Sequence, residues 1–234
     1  MPGTILFDLF HTLLDGADAE RDRVVARMGE IVGVEPTALV LAYHVTWRDR
    51  LVRWSAEETV RLLARRLGGD PSPEQVARAA ALRLELASWL LNSAPASTLV
   101  ALDGLRAAGW RLGLVSNATA EVAEAWPSSG LSRRFDVAVF SCVAGVAKPE
   151  PGIYQAAAAA LGVAPQRCVF VGDGADGELA GAAAVGAAVV RTAEFVDRSS
   201  VWAGPVVGSL AELSGLLGEM PVGRGVLQRG ASAA

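Results

Sequence analysis

Five short runs of apolar, often β-branched residues recur along the chain: TILF at 4–7, RLGLV at 111–115, DVAVF at 136–140, CVFV at 168–171 and AAVV at 187–190. Hydrophobicity that is nearly continuous, rather than alternating, suits strands buried on both faces, and so a parallel sheet covered by helices. Helical patterns separate the later runs. One covers 98–108 and is closed by Gly109, one covers 120–125 and stops before Pro127, and one covers the alanine-rich 152–160. Strand and helix in alternation predict a doubly wound α/β sheet.

The alternation is interrupted once. Roughly a hundred residues without a strand pattern come after the first run, and they are helical and well punctuated. Ser55 before Ala56, Glu57 and Glu58 reads as a capping box, and Ser72-Pro73-Glu74-Gln75 repeats the device with proline at the first helical position. The chain is therefore expected to divide into an α/β core of residues 1–15 and 94–221, an inserted helical unit of 16–93, and a disordered tail of 222–234. Within the core, 209–220 reads as a last short helix.

Composition narrows the partners. A net charge of −4 leaves no basic excess to neutralise phosphates of a nucleic acid. The longest apolar run, LAGAAAVGAAVV, is too short to span a bilayer, and the N-terminus lacks the pattern of a signal peptide. Cys142 and Cys168 lie in apolar segments with no metal-binding spacing, and read as free thiols of a reducing compartment. A cytoplasmic protein is expected, binding neither nucleic acid nor membrane; nothing in the sequence sets an oligomeric state. The 21 basic residues are twenty arginines and one lysine, Lys148, which makes its position worth locating.

In an open parallel sheet, ligands gather beyond the carboxyl ends of the strands. The polar residues met there, strand by strand, are Asp8, then Ser116 and Asn117, then Lys148, then Asp173. A carboxylate at the end of a buried strand is costly without a reward. Together the four positions bring a nucleophilic carboxylate, a hydroxyl with an amide, an ammonium and a second carboxylate to one edge. That set fits phosphoryl transfer through an enzyme carboxylate, with cationic groups cancelling charge on the phosphoryl oxygens.

The segments ILFDLFHTLL, LGLVSNAT, AKPEPGIY and VFVGDGADGEL resemble, in order, the four motifs of the haloacid dehalogenase-like hydrolase superfamily, and the helical insert resembles that family's C1-type cap. The resemblance covers about residues 4 to 191. It implies that Asp8 is a nucleophile and Mg²⁺ ligand, and that Ser116 with the backbone N–H of Asn117 holds phosphoryl oxygens. It further implies that Lys148 pairs with nucleophile and phosphate, that Asp173 ligates the metal, and that Glu178 does so through water. The backbone carbonyl of Phe10 would be a further ligand. Asp176 reads instead as the N-cap of the next helix.

Position 10 is the departure. Most phosphatases of the superfamily carry a second aspartate there, which protonates the leaving alcohol and then activates water; Phe10 can do neither. Metal-free haloacid dehalogenases of the same superfamily also carry an aromatic residue at this point, but they have small polar residues where this chain has Gly172-Asp173-Gly174. The expectation is therefore a Mg²⁺-dependent phosphatase of a small phosphorylated metabolite, with a dehalogenase or a catalytically weak binding protein as alternatives. His11, one residue off register, would face away from the site if the segment were extended. In the insert, Tyr43, Trp47, Arg50 and Trp54 share one face of a single helix, as a core stripe or as a lid in which Arg50 binds substrate.

Overall fold

Successive side chains of a strand point to opposite faces, and the first strand, β1 (Thr4–Phe7), uses both. Ile5 and Phe7 join one apolar layer and Leu6 joins the other. The computed structural model describes residues 3–198 and 201–219, so the expected disordered tail of 222–234 lies outside the described residues. Beside β1 stand β2 (Arg111–Ser116), β3 (Val137–Phe140), β4 (Cys168–Gly172), β5 (Ala188–Thr192) and β6 (Val206–Val207). They form a six-stranded sheet in the order β3-β2-β1-β4-β5-β6, with every neighbouring pair parallel. The five apolar runs are β1 to β5. The two residues of β6 are too few for a periodic signal.

Of the six helices between β1 and β2, the first five are α1 (Asp18–Val32), α2 (Pro36–Val45), α3 (Trp47–Val52), α4 (Ala56–Arg66) and α5 (Pro73–Asn92). Then come α6 (Ala96–Ala107), α7 (Ala120–Ala125) after β2, α8 (Ser141–Ala144) after β3, α9 (Pro151–Ala160), α10 (Glu178–Ala184) between β4 and β5, and α11 (Leu213–Glu219). Helices α6 and α11 pack on the Ile5–Phe7 face, through Leu102, Leu105, Leu213 and Leu217. Helices α9 and α10 pack on the Leu6 face through Ile153, Tyr154, Leu179 and Ala182. This is the doubly wound α/β architecture. None of the described helices is long and apolar enough to cross a membrane.

The helices inserted after β1 have an apolar centre of their own, built from Val25, Met28, Leu39, Val60, Leu63 and Val76. The long helix α5 belongs to two centres, with Val76 and Ala79 in this cluster and Ala87 and Leu91 in the layer on the sheet. At Ser72 both halves of the capping box form, the hydroxyl accepting from Gln75 N at 3.2 Å and the Gln75 side chain accepting from Ser72 N at 2.9 Å. Ser55 makes only the first half, accepting from Glu58 N at 3.2 Å.

Tyr43, Trp47, Arg50 and Trp54 do not share one helix. The Thr46 hydroxyl donates to the Ala42 carbonyl at 2.6 Å, and the backbone leaves helical geometry there at φ −101° and ψ 15°. A side chain that competes for the helix's own acceptor ends α2 at Val45, and Trp54 falls beyond α3.

Midway along α5, the Arg83 guanidinium meets Glu121 of α7, with both Nε and Nη2 at 2.8 Å from Oε1. Both groups are buried. Burial alone would raise the Glu121 carboxyl, but the Arg83 charge holds it below the ordinary carboxylate range. Breaking one side of a buried pair strands the other charge, at a cost of about 3–5 kcal/mol. Arg83→Ala and Glu121→Ala are each expected to lower the stability measured by urea unfolding by that amount, whereas Arg83→Met with Glu121→Leu recovers most of it. Because the folded carboxyl is depressed, its contribution is complete above the unfolded value of about 4.3 and is lost as pH falls through the folded one. The Glu121→Ala penalty should therefore shrink in acid.

Candidate active site

With β1 central and the chain returning to its other side at β4, the topological switch falls between these two strands, where an open parallel sheet has its crevice. Phe7 pairs with Val171, and Asp8 N donates to Val171 O at 2.9 Å, so Asp8 and Asp173 leave neighbouring strands side by side. Both are buried. Glu178, at the start of α10, is also buried, and the ligand atoms of Asp8, Asp173 and Glu178 lie within 4.8 Å of one another. Gly172 permits this approach. A Cβ there would stand 2.2 Å from Glu178 Oε1.

Lys148 Nζ lies between two of these acids, donating to Asp8 Oδ1 and to Glu178 Oε2, the latter at 2.6 Å. Its main chain is clamped by Asn117, whose Oδ1 accepts from Lys148 N at 2.7 Å and whose Nδ2 donates to Lys148 O at 3.0 Å. Asp8 Oδ2 accepts from the Thr12 hydroxyl at 3.2 Å, so both oxygens of the carboxylate are held. The other Glu178 oxygen accepts from Gly174 N at 3.0 Å, and Asp173 accepts from Ala175 N at 3.1 Å and from Arg198 Nε at 2.7 Å.

Three carboxylates in so small a volume are faced by two cations, Lys148 between Asp8 and Glu178 and Arg198 on Asp173. Burial, with the Asp173 charge added, raises the Asp8 carboxyl against the opposing pull of Lys148. Burial and the Asp8 charge push Glu178 up to about 8. For Lys148 burial acts downward, but the two carboxylates more than reverse it and keep the ammonium charged. The donor set is hard oxygen throughout, crowded, buried and short of positive charge. A small divalent ion such as Mg²⁺ fits it, whereas zinc or copper would call for imidazole or thiolate.

A cavity of about 240 Å³ opens on this cluster, lined by Asp8, Phe10, Asn117, Lys148 and Glu178 among others. Ser116, at the end of β2, is fully buried and its Oγ has no hydrogen-bond partner. Arg50 is not part of this cavity. It lines a neighbouring one, together with Tyr43 and Trp47. Asp176 is not a helix cap either. It is exposed with φ 52°, and the residue that precedes α10 is Gly177, with no side-chain cap.

His11 does not obey strand alternation. With φ 61° it turns out of the extended path and its ring lines the cavity, packed where a Cβ on Gly16 would stand 2.3 Å from Nε2. Three further residues went unread in the sequence. Thr12 was visible as a hydroxyl four residues after Asp8. Arg21 of α1, whose guanidinium lies 4.2 Å from the centre of the Phe10 ring, and Arg198, beyond β5, carried no motif or spacing that singles them out.

The fold and the strand-end residues define an α/β protein that gathers three acids and a lysine at one edge of its sheet. A family model described as haloacid dehalogenase-like hydrolase matches residues 2–186, and the chain belongs to that family. It is 36% identical over 133 residues to a glyceraldehyde 3-phosphate phosphatase of Methanopyrus kandleri, an alignment that takes in 56% of each chain, so it spans little more than half the length of that relative. Among solved structures, a HAD phosphatase from Thermococcus onnurineus superposes with a TM-score of 0.67 at 24% identity, over 93% of this chain and 98% of the other. A dehalogenase superposes with a TM-score of 0.59 at 26% identity, over 92% and 96%.

Replacing Lys148 by methionine would leave Asp8 and Glu178 buried together without their shared cation. The expected loss is about 3–5 kcal/mol in urea unfolding at neutral pH. A loss below about 1 kcal/mol, the range of an exposed pair, would show that the ammonium is not what balances the cluster.

Proposed function

We propose that the protein is a Mg²⁺-dependent phosphatase of a small phosphorylated metabolite, acting through an aspartyl-phosphate on Asp8. The observation that carries the reading is the buried trio Asp8, Asp173 and Glu178 with Lys148 set against two of its members. The likeness to a glyceraldehyde 3-phosphate phosphatase supports it. Residues 16–93 would serve as a cap over the core, and two free thiols suit a cytoplasmic setting.

Asp8 and Asp173 would hold the ion directly, with the Phe10 carbonyl as the family resemblance implies. Glu178, whose two oxygens already accept from Gly174 and Lys148, would do so through water. When bound, Mg²⁺ supplies positive charge to the phosphoryl oxygens and keeps the acids ionised. Lys148 and Thr12 hold the Asp8 carboxylate fixed. One of its oxygens attacks phosphorus, a bond forms between them, and the ester P–O bond breaks. The buried Ser116 hydroxyl, free of any internal partner, donates to a phosphoryl oxygen, as does Lys148. The departing alkoxide takes its proton from solvent, since Phe10 offers none. Water then attacks phosphorus and releases a proton to solvent. Inorganic phosphate leaves and the carboxylate is restored.

A rival reading, hydrolysis of a 2-haloacid, draws on Phe10 and on the likeness to a dehalogenase. Halide departs without a proton, so an aromatic at position 10 costs that reaction nothing. Two further buried carboxylates beside the nucleophile have no part in it, and they favour phosphate chemistry.

Phosphate release from p-nitrophenyl phosphate should require Mg²⁺ and disappear in Asp8→Asn. Chloride release from 2-chloropropionate in its place would favour the rival. General acid–base assistance is worth ~10²–10⁴ in rate. Phe10→Asp should accordingly speed hydrolysis of alkyl phosphates by at least about tenfold and change the p-nitrophenyl ester, with its acidic leaving group, much less. Equal effects on both esters would mean that the missing acid does not limit the wild type.

A further inference from the structure

Beyond β5 the chain runs past the carboxyl end of β4 and is fastened there at several points. Arg191 of β5 pairs with Asp197 at 2.7 Å, and Val201 N donates to the Arg198 carbonyl at 3.2 Å. Val201 also packs against Gly174, so closely that a Cβ on that glycine would stand 2.6 Å from Val201 Cγ2. From between these anchors the Arg198 side chain reaches the acid cluster, and its Nε donates to Asp173 Oδ2 at 2.7 Å. The Asp173 side chain is 1% exposed and that of Arg198 is 37% exposed.

Both oxygens of Asp173 are therefore engaged, but by donors of different kinds. Oδ1 accepts from Ala175 N at 3.1 Å, two residues along the same turn, and that donor cannot leave unless the turn opens. Oδ2 is held by a long side chain that stands partly in water and whose main chain is fastened without it. The guanidinium is the contact that can be given up. Acceptors for it are at hand, since Asp18 of α1 and the exposed Asp176 line the same cavity as Arg198. Asp18 is held only loosely, by Arg21 at 3.9 Å and His11 Nε2 at 3.7 Å. Lys148, the other cation at the cluster, is buried between Asp8 and Glu178 and has no such exit.

A divalent ion seated on Asp8, Asp173 and Glu178 would bring two positive charges up to the Arg198 guanidinium. Like charges that share one carboxylate repel, and a buried carboxylate leaves little water between them to screen the repulsion. We propose that Arg198 competes with the divalent ion for Asp173 and gives up this contact when the ion binds, swinging toward Asp18 and Asp176. Metal uptake is then an exchange of one cation for another, and Arg198 lowers the affinity of the seat. The inference rests on the metal seat of the phosphatase reading and adds to it a residue that sets how readily the seat fills. An arginine that only oriented Asp173 from behind would act in the opposite sense, because removing it would weaken metal binding.

The test is calorimetric titration of Mg²⁺ into the whole protein, comparing the wild type with Arg198→Gln and Arg198→Lys. Arg198→Gln should bind Mg²⁺ about fivefold or more tightly than the wild type, the low end of ordinary coupling between two binding events. Arg198→Lys keeps the charge and should lie nearer the wild type. As a direct readout, the Arg198 Nε–H resonance, assigned by its loss in Arg198→Gln, should move as Mg²⁺ saturates the wild type. Circular dichroism and the melting temperature report whether each variant folds. Equal affinity in the wild type and Arg198→Gln, weaker binding by Arg198→Gln, or an Nε–H resonance that Mg²⁺ leaves in place overturns the exchange while the metal seat stands. Binding by Arg198→Gln alone supports the exchange in its strongest form. Absence of binding by all three proteins defeats the metal seat and the exchange with it.

Discussion

One ammonium holds this site together. Lys148 is buried against Asp8 and Glu178, and no other lysine exists in the chain. Carboxylates brought this close would repel one another strongly in a dry interior, where each charge is screened far less than in water. The cation makes the cluster tolerable without neutralising it. What remains is a surplus of negative oxygen donors at the mouth of a cavity, the condition under which a hard divalent ion is taken up. The elements around it serve to fix the lysine. Asn117 clamps its main chain from the end of β2, and Gly172 leaves room for Glu178 to reach it.

The sheet order explains why these residues meet. Because β1 and β4 are adjacent and the chain departs from them to opposite sides, their carboxyl ends border an open crevice rather than a helix. The helices inserted after β1 then wall the crevice with Asp18 and Arg21 of α1 and Trp47 of α3. Helix α5 ties that layer to the sheet, sharing residues with two apolar centres and pairing Arg83 with Glu121 between them. Through Arg83 the same helix also lines the cavity next to the Asp8 one.

Much of this was legible beforehand. Strands buried on two faces announce themselves as runs such as CVFV and TILF, and the polar residue that ends each run is conspicuous against them. Asp8 and Asp173 stood out for that reason, and Lys148 as the single lysine of the chain. What could not be read was direction. Thr46 looks like a helical residue until its hydroxyl takes the Ala42 carbonyl where α2 ends, and nothing in the spacing told that Arg50 would line the neighbouring cavity and not the one at Asp8. His11 was judged by strand alternation, although a left-handed backbone at that residue suspends the rule. Arg198 reaches Asp173 across 25 residues of chain, and no local pattern encodes such a meeting. Spacing reports which residues share an element; it says little about how a break re-aims the side chains beyond it.

The central claim is that Asp8, Asp173 and Glu178 form a common seat for one divalent cation. Calorimetric titration of Mg²⁺ into the wild-type protein and into Asp173→Asn tests it without reference to any substrate. Saturable binding at one site, weakened about tenfold or more in the variant (a change of about 1.4 kcal/mol), is the expected result. Absence of binding to the wild type, or equal binding to both proteins, would contradict it.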